Sequence, residues 1–504
     1  MRKSILLLLL IILLALAFKI PAVLNSQSFW FDEAVSLSIA QHNILASWQY
    51  LQWENNPPLH YWLLHYWTSI FGQTEISVRL SSVLFSILGI IALYFLGKKL
   101  KNSQTGLFAA FLFAISSYQL HLSMDGRMYA PMLFFGILSS YFFLQVLAGQ
   151  KKINWFFYVL FTLLTYYTHL TGLFLLISQN LYFFYHYFYL KIKKPKLLSW
   201  LYAQIIILAL FSPWLISFML THFSRFDSTA WYWHTSGEGF FLFQLPRSFF
   251  FLAIEVPYIE LIALILFFVL FLASFTKIKS FSLAARELRL NFNFSPAIVF
   301  LLLLFLTPIF LGFLLQVWVV KYYSIASIGC YLTLAYGFSN LKLKVKYLVS
   351  LVVIIIIFLL PYNLFFIQQY HHKWHKVARY IESVEQPADK ILVAAFVYQL
   401  PFDYYYHGKL EVVGYKPAGI EDDLLLSAVK YNWYPVLTKE NMPDINQILG
   451  NKKRAIVISP CVAGTIHNAN LVLDWFSAHN WPLIHQEQFG GFERPSVYIF
   501  TNPN

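Results

Sequence analysis

Residues 25–78 carry acids and many aromatic rings but no Lys or Arg. Within that stretch, Phe29-Trp30-Phe31-Asp32-Glu33-Ala34 comes directly after a long apolar run. A carboxylate at that point can act as general base toward a hydroxyl at a membrane surface. Equally, Asp32 can do no more than cap a short helix running from Ala34 to Ala46. Further on, Glu54 precedes Asn55-Asn56-Pro57-Pro58, and the proline pair marks the start of a second helix, aromatic and interfacial, over Leu59 to Phe71. Three turns elsewhere add to the inventory. Asp125-Gly126-Arg127-Met128-Tyr129 sets an acid and a guanidinium between two apolar runs, Thr168-His169-Leu170-Thr171-Gly172 offers a histidine, and Val320-Lys321-Tyr322-Tyr323 offers a cation. Singly, each has a plain explanation: a surface ion pair, an interfacial ring, a snorkelling lysine. Together they supply carboxylates for proton transfer and cations for a phosphate.

The elements that must position these residues follow from composition. Of 504 residues, 59% are hydrophobic, 20% aromatic and only 12% charged, with mean hydropathy +0.60. Soluble domains are about a quarter charged, so most of the chain is not soluble, and two cysteines, Cys330 and Cys461, exclude a disulfide scaffold. A span needs roughly 20 apolar residues. On that template eleven spans are expected, near 4–24, 79–97, 105–122, 129–148, 154–169, 171–190, 199–220, 249–274, 296–315, 322–339 and 347–367. The first is expected to stay as an anchor, although Arg2-Lys3 before a leucine run and Ala15-Leu16-Ala17 after it also resemble a cleaved signal.

Charge then gives an orientation. Residues 1–367 contain 24 Lys and Arg against 10 Asp and Glu, whereas residues 368–504 contain 12 against 13. The excess of positive charge therefore lies in the apolar portion, where it orients a membrane protein rather than binding nucleic acid. Lysines and arginines cluster at alternate junctions: Arg2/Lys3, Lys98/Lys99/Lys101, Lys151/Lys152, Lys191 to Lys196, Lys277 to Arg289 and Lys342 to Lys346. These are expected inside, with Asp32, Glu33, Glu54, Asp125, Asp227 and Glu238 outside. A transporter keeps ionisable groups near the midplane of its spans. Here the exceptions are Lys19, Glu255 and Glu260, each near a span end, and the polar chemistry gathers in the outer loops 25–78 and 221–248.

The expected architecture is an α-helical polytopic membrane protein, residues 1–367, with a small extracytoplasmic α/β domain over 368–504. That domain opens on an amphipathic helix at 368–385, where His371, His372 and His375 are either solvated or metal-binding. Strands are expected at 391–395, 410–413, 455–458 and 496–500 with a helix over 468–479, in mixed strand direction. Gly490-Gly491 reads as a turn rather than a phosphate loop.

Asp32-Glu33, Asn56-Pro57-Pro58-Leu59-His60-Tyr61, Arg127-Met128-Tyr129 and Thr168-His169-Leu170-Thr171-Gly172, in this order and spacing, resemble the GT-C membrane glycosyltransferases. The likeness is to the group of protein O-mannosyltransferases, aminoarabinose transferases and Rgt-like proteins, and it covers about residues 1–340. It implies transfer of a sugar from a polyprenyl-phosphate donor to a lipid, glycan or protein acceptor at the outer face of the plasma (inner) membrane. It further implies Asp32 as general base with Glu33 beside it, Arg127, Lys321 and Tyr322 at the donor phosphate, and Asp125, Tyr129 and His169 lining the cavity. Glu54 matches an acid that helps hold a divalent metal in the aminoarabinose branch. That branch has a lysine where this chain has Asn55, which counts against a metal here, and Lys321 stands where an arginine is more usual. The rival reading is a transporter or flippase-like protein that binds such a lipid without transferring its sugar.

The charge pattern makes a direct prediction. A cysteine introduced at Asn43 should react with an impermeant thiol reagent in intact cells and one at Ser103 should not; reversed labelling would overturn the orientation.

Overall fold

In lipid a backbone can satisfy its polar groups only within a helix or a closed barrel, and in the computed structural model the apolar runs form helices. It describes all residues except 1, 26–27, 150, 191–193, 223–248, 250–256, 283–286, 293, 316, 318, 343, 348, 351–371, 432–436, 461–467, 491–493 and 503–504. Asp227, Glu238, Glu255, His371, Cys461, Gly491 and most of the eleventh expected span therefore lie outside the described residues.

Helix α1 (Arg2–Leu24) leads into the first long loop, which carries α2 (Phe31–Ala40), α3 (Ile44–Leu51) and α4 (Leu59–Phe71). The bundle continues with α5 (Glu75–Leu100), α6 (Ser103–Ile115), α7 (Ser117–Met124), α8 (Tyr129–Ala148) and α9 (Lys152–Thr168). It is completed by α10 (Leu173–Tyr189), α11 (Lys194–His222), α12 (Pro257–Phe275), α13 (Pro296–Leu314) and α14 (Ser324–Asn340). Among the described residues, five helices, in α1, α5, α8, α11 and α13, are long and apolar enough to cross a bilayer, and the α6–α7 pair makes a sixth. At 17 residues each, α9, α10 and α14 stand at the short limit for a span. Close approach of backbones holds the bundle where small residues allow it: a Cβ on Gly329 of α14 would lie 2.4 Å from the Phe305 nitrogen of α13.

Two expected helices are in fact pairs. The run 105–122 bends by 60° between α6 and α7, because Ser116 is extended (φ −65°, ψ 127°) and its hydroxyl accepts from Gln119 N–H. That hydroxyl also bonds the Tyr331 hydroxyl at 2.7 Å, so the break is tied to α14. The run 34–46 divides into α2 and α3, because Asn43 caps a new helix by accepting from Ala46 N–H at 2.8 Å. Since α2 begins at Phe31 with Trp30 at its N-cap, Asp32 is not the cap that the simpler reading made it. Lys19, expected near a span end, is fully buried, donating to Gln119 O at 3.2 Å and Ser123 Oγ at 3.0 Å. It pins α1 to α7.

A hairpin, β1 (Thr276–Ser282) and β2 (Glu287–Phe292), spans the basic stretch at 277–289. The C-terminal domain has α15 (Trp374–Val384), α16 (Gln399–Tyr405), α17 (Leu424–Lys430) and α18 (Asn470–Ala478) around a five-stranded sheet. Its strands are β3 (Asp389–Val393), β4 (Val412–Gly414), β5 (Arg454–Pro460), β6 (Leu483–Gln488) and β7 (Pro495–Thr501), ordered β4-β3-β5-β7-β6. β3 runs parallel to β4 and β5, while β7 is antiparallel to β5 and β6. β6 was not expected: it is an exposed edge strand whose Leu-Ile-His-Gln-Glu-Gln lacks an apolar face. The domain packs on the first loop, with α16 against α2 and α17 against α2 and α3.

One buried ion pair orders the loop. Arg79, in the first turns of α5, donates from Nε to Glu33 Oε1 at 2.9 Å and from Nη2 to Glu33 Oε2 at 2.6 Å, with both side chains at most 4% exposed. Glu33 Oε1 also accepts from Gly126 N–H at 2.8 Å, and Oε2 from Trp30 N–H at 3.4 Å. Burial alone would raise the Glu33 carboxyl, but the Arg79 guanidinium and these donors hold it below its ordinary range. A carboxyl so lowered contributes stability above its unfolded pKa and loses it as pH falls through the folded value. Glu33→Gln strands a buried guanidinium, at a cost of ~3–5 kcal/mol. The expected result is a lower unfolding temperature in detergent at neutral pH, with the difference from the parent narrowing as pH falls through the acid range.

Candidate active site

Four loops converge beneath the C-terminal domain. The first turn of α2 presents Asp32, whose side chain is 26% exposed, and Arg127 Nη2 lies 3.7 Å from its Oδ2. Arg127 also donates from Nη1 to the Asp32 carbonyl at 2.9 Å and to the Ser36 hydroxyl. Ser36 in turn donates to the Asp32 carbonyl at 2.7 Å. The guanidinium thus holds the backbone of residue 32 and leaves the carboxylate a looser contact. A second pair stands alongside. Lys321 Nζ is 3.6 Å from Asp125 Oδ2, and Asp125 Oδ1 accepts from Trp30 Nε1 at 3.2 Å. Lys321 also lies 3.9 Å above the Trp30 ring and 5.5 Å from that of Tyr129, a stacking that fixes the ammonium without consuming all its donors.

The remaining expected residues join this cluster. The His169 ring lies 5.3 Å from the rings of both Tyr129 and Tyr322. Its Nδ1 accepts from Thr171 N–H at 3.1 Å, so the neutral ring carries its proton on Nε2. It is also within electrostatic reach of Arg127 and Lys321. Glu54 accepts from Asn56 Nδ2 at 2.7 Å. Burial raises its carboxyl above the ordinary range, and nearby Arg127 opposes that rise. Asp32, Glu54, Asp125, Arg127, Tyr129, His169, Lys321 and Tyr322 are therefore brought together at one end of the bundle. Glu33 is adjacent in sequence but turned to other work: its oxygens face Arg79, Gly126 and Trp30. The expectation of a chemical partner for Asp32 gives way to that of a structural brace.

Three further residues were not anticipated. Arg79 is legible in hindsight as a cation opening an apolar run, which is a functional signal in a membrane segment. Trp30 was seen only as part of an aromatic string. His60 follows Pro-Pro-Leu and is almost fully buried; burial first, then the charge of Arg127, pushes its ring down to about 3, so it is neutral. Among the described residues its Nε2 has no hydrogen-bond partner, and neither has Arg127 Nε. Buried polar atoms in that condition call for an explanation, and an incoming ligand is one. His60 also lines a mostly apolar groove of about 230 Å³ between α4 and α5, with Leu63, Leu64, Trp67, Leu84 and Phe85 among its walls.

A metal fits poorly. Among the described residues no three His, Cys, Asp or Glu side chains come together as a ligand set, and Glu54 is engaged by Asn56.

Residues 55–216 match the family described as dolichyl-phosphate-mannose-protein mannosyltransferase. This stretch includes the Pro-Pro segment, Arg127 and His169, and stops short of Asp32 on one side and Lys321 on the other. No curated protein matches the chain. Among solved structures, ArnT from Cupriavidus metallidurans in the apo state aligns with TM-score 0.62 at 12% identity, over 97% of each chain. The same protein bound to undecaprenyl phosphate aligns at 0.58, with the same identity and coverage. The archaeal oligosaccharyltransferase AglB from Archaeoglobus fulgidus, in complex with an inhibitory peptide and a dolichol-phosphate, aligns at 0.53 and 12% identity over 94% of this chain and 72% of its own. The chain thus has the fold of these GT-C structures over nearly its whole length, and residues 55–216 carry the pattern of the mannosyltransferase family.

Proposed function

We propose that this protein moves a sugar from a polyprenyl-phosphate donor to an acceptor hydroxyl on the extracytoplasmic face of the membrane, with Asp32 as general base. The observation that carries this reading is the pairing of two carboxylates with two cations, Asp32 with Arg127 and Asp125 with Lys321, in one cluster beside an apolar groove. The family match and the similarity to a protein solved with undecaprenyl phosphate support the same donor class.

The reaction follows from those groups. The donor's phosphate takes Arg127 and Lys321 as counter-charges, and its prenyl chain lies along apolar surface such as the α4–α5 groove. Arg127 is then shared between the phosphate and Asp32, and the Asp32 carboxylate is left to face the acceptor hydroxyl. The acceptor hydroxyl gives its proton to Asp32 while its oxygen bonds to the sugar's anomeric carbon. The bond from that carbon to the phosphate oxygen breaks, and the electron pair leaves on the polyprenyl phosphate, held by the same two cations. A neutral His60 and the Nε2–H of His169 suit sugar hydroxyls rather than the phosphate.

The orientation rests on the alternate basic junctions, which put the cluster and the C-terminal domain outside. Membrane vesicles given radiolabelled polyprenyl-phosphate sugars test the reading as a whole: label should move to an acceptor, whereas label merely crossing or remaining bound would favour a transporter. Within that assay, Asp32→Asn keeps size and removes the proton acceptor, so transfer should fall by about two to four decades with donor binding retained. Lys321→Gln should instead weaken binding of polyprenyl phosphate, measured by titration in detergent. A well-folded Asp32→Asn protein with near-normal transfer would remove Asp32 from the mechanism.

A further inference from the structure

The residues just ahead of Asp32 are held from two sides, and one side is the C-terminal domain. Phe29 N–H donates to the Tyr405 hydroxyl at 2.7 Å, and that hydroxyl donates to Glu75 Oε1, also at 2.7 Å. A single phenol from α16 therefore bridges the segment before α2 to the first turn of α5. One residue earlier, Ser28 Oγ accepts from His375 N–H at 2.9 Å and lies 2.6 Å from His375 Nδ1. Ring contacts continue the seam: Phe29 edge-on to Tyr404 at 5.0 Å, and Phe31 against Tyr398 at 5.7 Å. From the other side, Arg79 Nη2 donates to the Ser28 carbonyl at 3.1 Å, and its guanidinium lies 5.6 Å from the centre of the Phe29 ring.

We infer that the C-terminal domain is a working part of the active site, with Tyr405, through the Phe29 amide, and His375, through the Ser28 hydroxyl, as positioning residues that fix residues 28–29 and through them the placement of Asp32. This rests on the reading of Asp32 as base and goes beyond it, because neither residue touches the cluster of reacting groups. The alternative is a domain that only covers the site. In that case, bonds at the seam would contribute to docking in general and none would matter more to Asp32 than another. Tyr404 provides the comparison: on the same helix, its hydroxyl donates to the Gln73 carbonyl at 3.0 Å, and it makes no hydrogen bond to residues 28–30.

The test uses the full-length protein in detergent or vesicles. Tyr405→Phe keeps the ring and removes both bonds of the bridge; Tyr404→Phe removes one bond of the same seam. Tyr405→Phe should lower kcat for transfer about tenfold with donor KM changed less than about threefold, the size expected for a misplaced catalytic group behind one or two lost hydrogen bonds. Tyr404→Phe should leave kcat within about twofold, and both variants should elute as folded monodisperse protein. Equal loss in the two variants, or no loss in Tyr405→Phe, overturns the inference while leaving the transfer reading intact. A second readout needs no donor. With Cys330 and Cys461 replaced by Ser, an Asp32→Cys thiol reports on its own segment, and Tyr405→Phe should change its alkylation rate severalfold where Tyr404→Phe does not. An unchanged rate rejects the positioning role whether or not the donor assignment holds.

Discussion

The site depends on the ion pair between Glu33 and Arg79. Both side chains are out of solvent, where charge–charge attraction is strong and an unpaired charge is costly. The geometry is two-pronged, which a guanidinium and a carboxylate achieve and an ammonium does not. The pair also links loops that are distant in sequence. Glu33 receives Gly126 N–H and thereby sets the turn that bears Asp125 and Arg127, while Arg79 holds the Ser28 carbonyl and so the entry to α2. Gly126 fits because it has no side chain: a Cβ there would lie 2.5 Å from Val78 Cγ1 and 3.1 Å from Glu33 Oε1. One carboxylate in this way fixes the separation between Asp32 and the cation that faces it.

This explains why two adjacent acids have different roles. On a helix, neighbouring positions point about 100° apart, so the first turn of α2 can bury one carboxylate and leave the next partly exposed. Glu33 takes the inward direction and is fully engaged. Asp32 takes the outward one, partly exposed, with a contact to Arg127 long enough to be exchanged for a ligand. The base proposed at this position needs that freedom, and a brace needs its absence. The same contrast recurs at Arg127, which is anchored through Nη1 to the Asp32 carbonyl and Ser36 while its Nε has no partner among the described residues.

Helices and site residues were legible to different degrees, for physical reasons. Long apolar runs announce themselves by length, and α1, α5, α8 and α13 lie within a few residues of their expected places. The bend at Ser116 did not, because a serine in an apolar run looks like any buried hydroxyl until its partners on other helices are known. Asp32, Arg127, His169 and Lys321 were legible as types at the correct junctions, since alternating spans bring every second junction to one side. Their actual pairing, Asp32 with Arg127 and Lys321 with Asp125, was not, because it depends on tertiary distances of a few ångströms. Arg79 escaped notice at the boundary of a span, where a cation passes for a snorkelling side chain. β6 escaped because an exposed edge strand carries no alternating pattern.

Lys321 shows how the cluster holds a lone ammonium. An ammonium is a point charge on a flexible stem and cannot form the paired hydrogen bonds of a guanidinium. What it lacks in geometry must come from its surroundings, and here they are aromatic: the Trp30 ring lies 3.9 Å beneath the nitrogen and Tyr129 is close by. Trp30 is itself oriented by its indole N–H on Asp125, the carboxylate that faces Lys321. The three side chains form a closed triangle in which each limits the freedom of the other two. Because Trp30 is also the N-cap of α2, the placement of Lys321 and that of Asp32 are set by the same turn of chain, although the two residues stand at opposite ends of the membrane domain's sequence. The family pattern in residues 55–216 contains neither residue. They meet because the turn that Glu33 and Arg79 hold in place orients both.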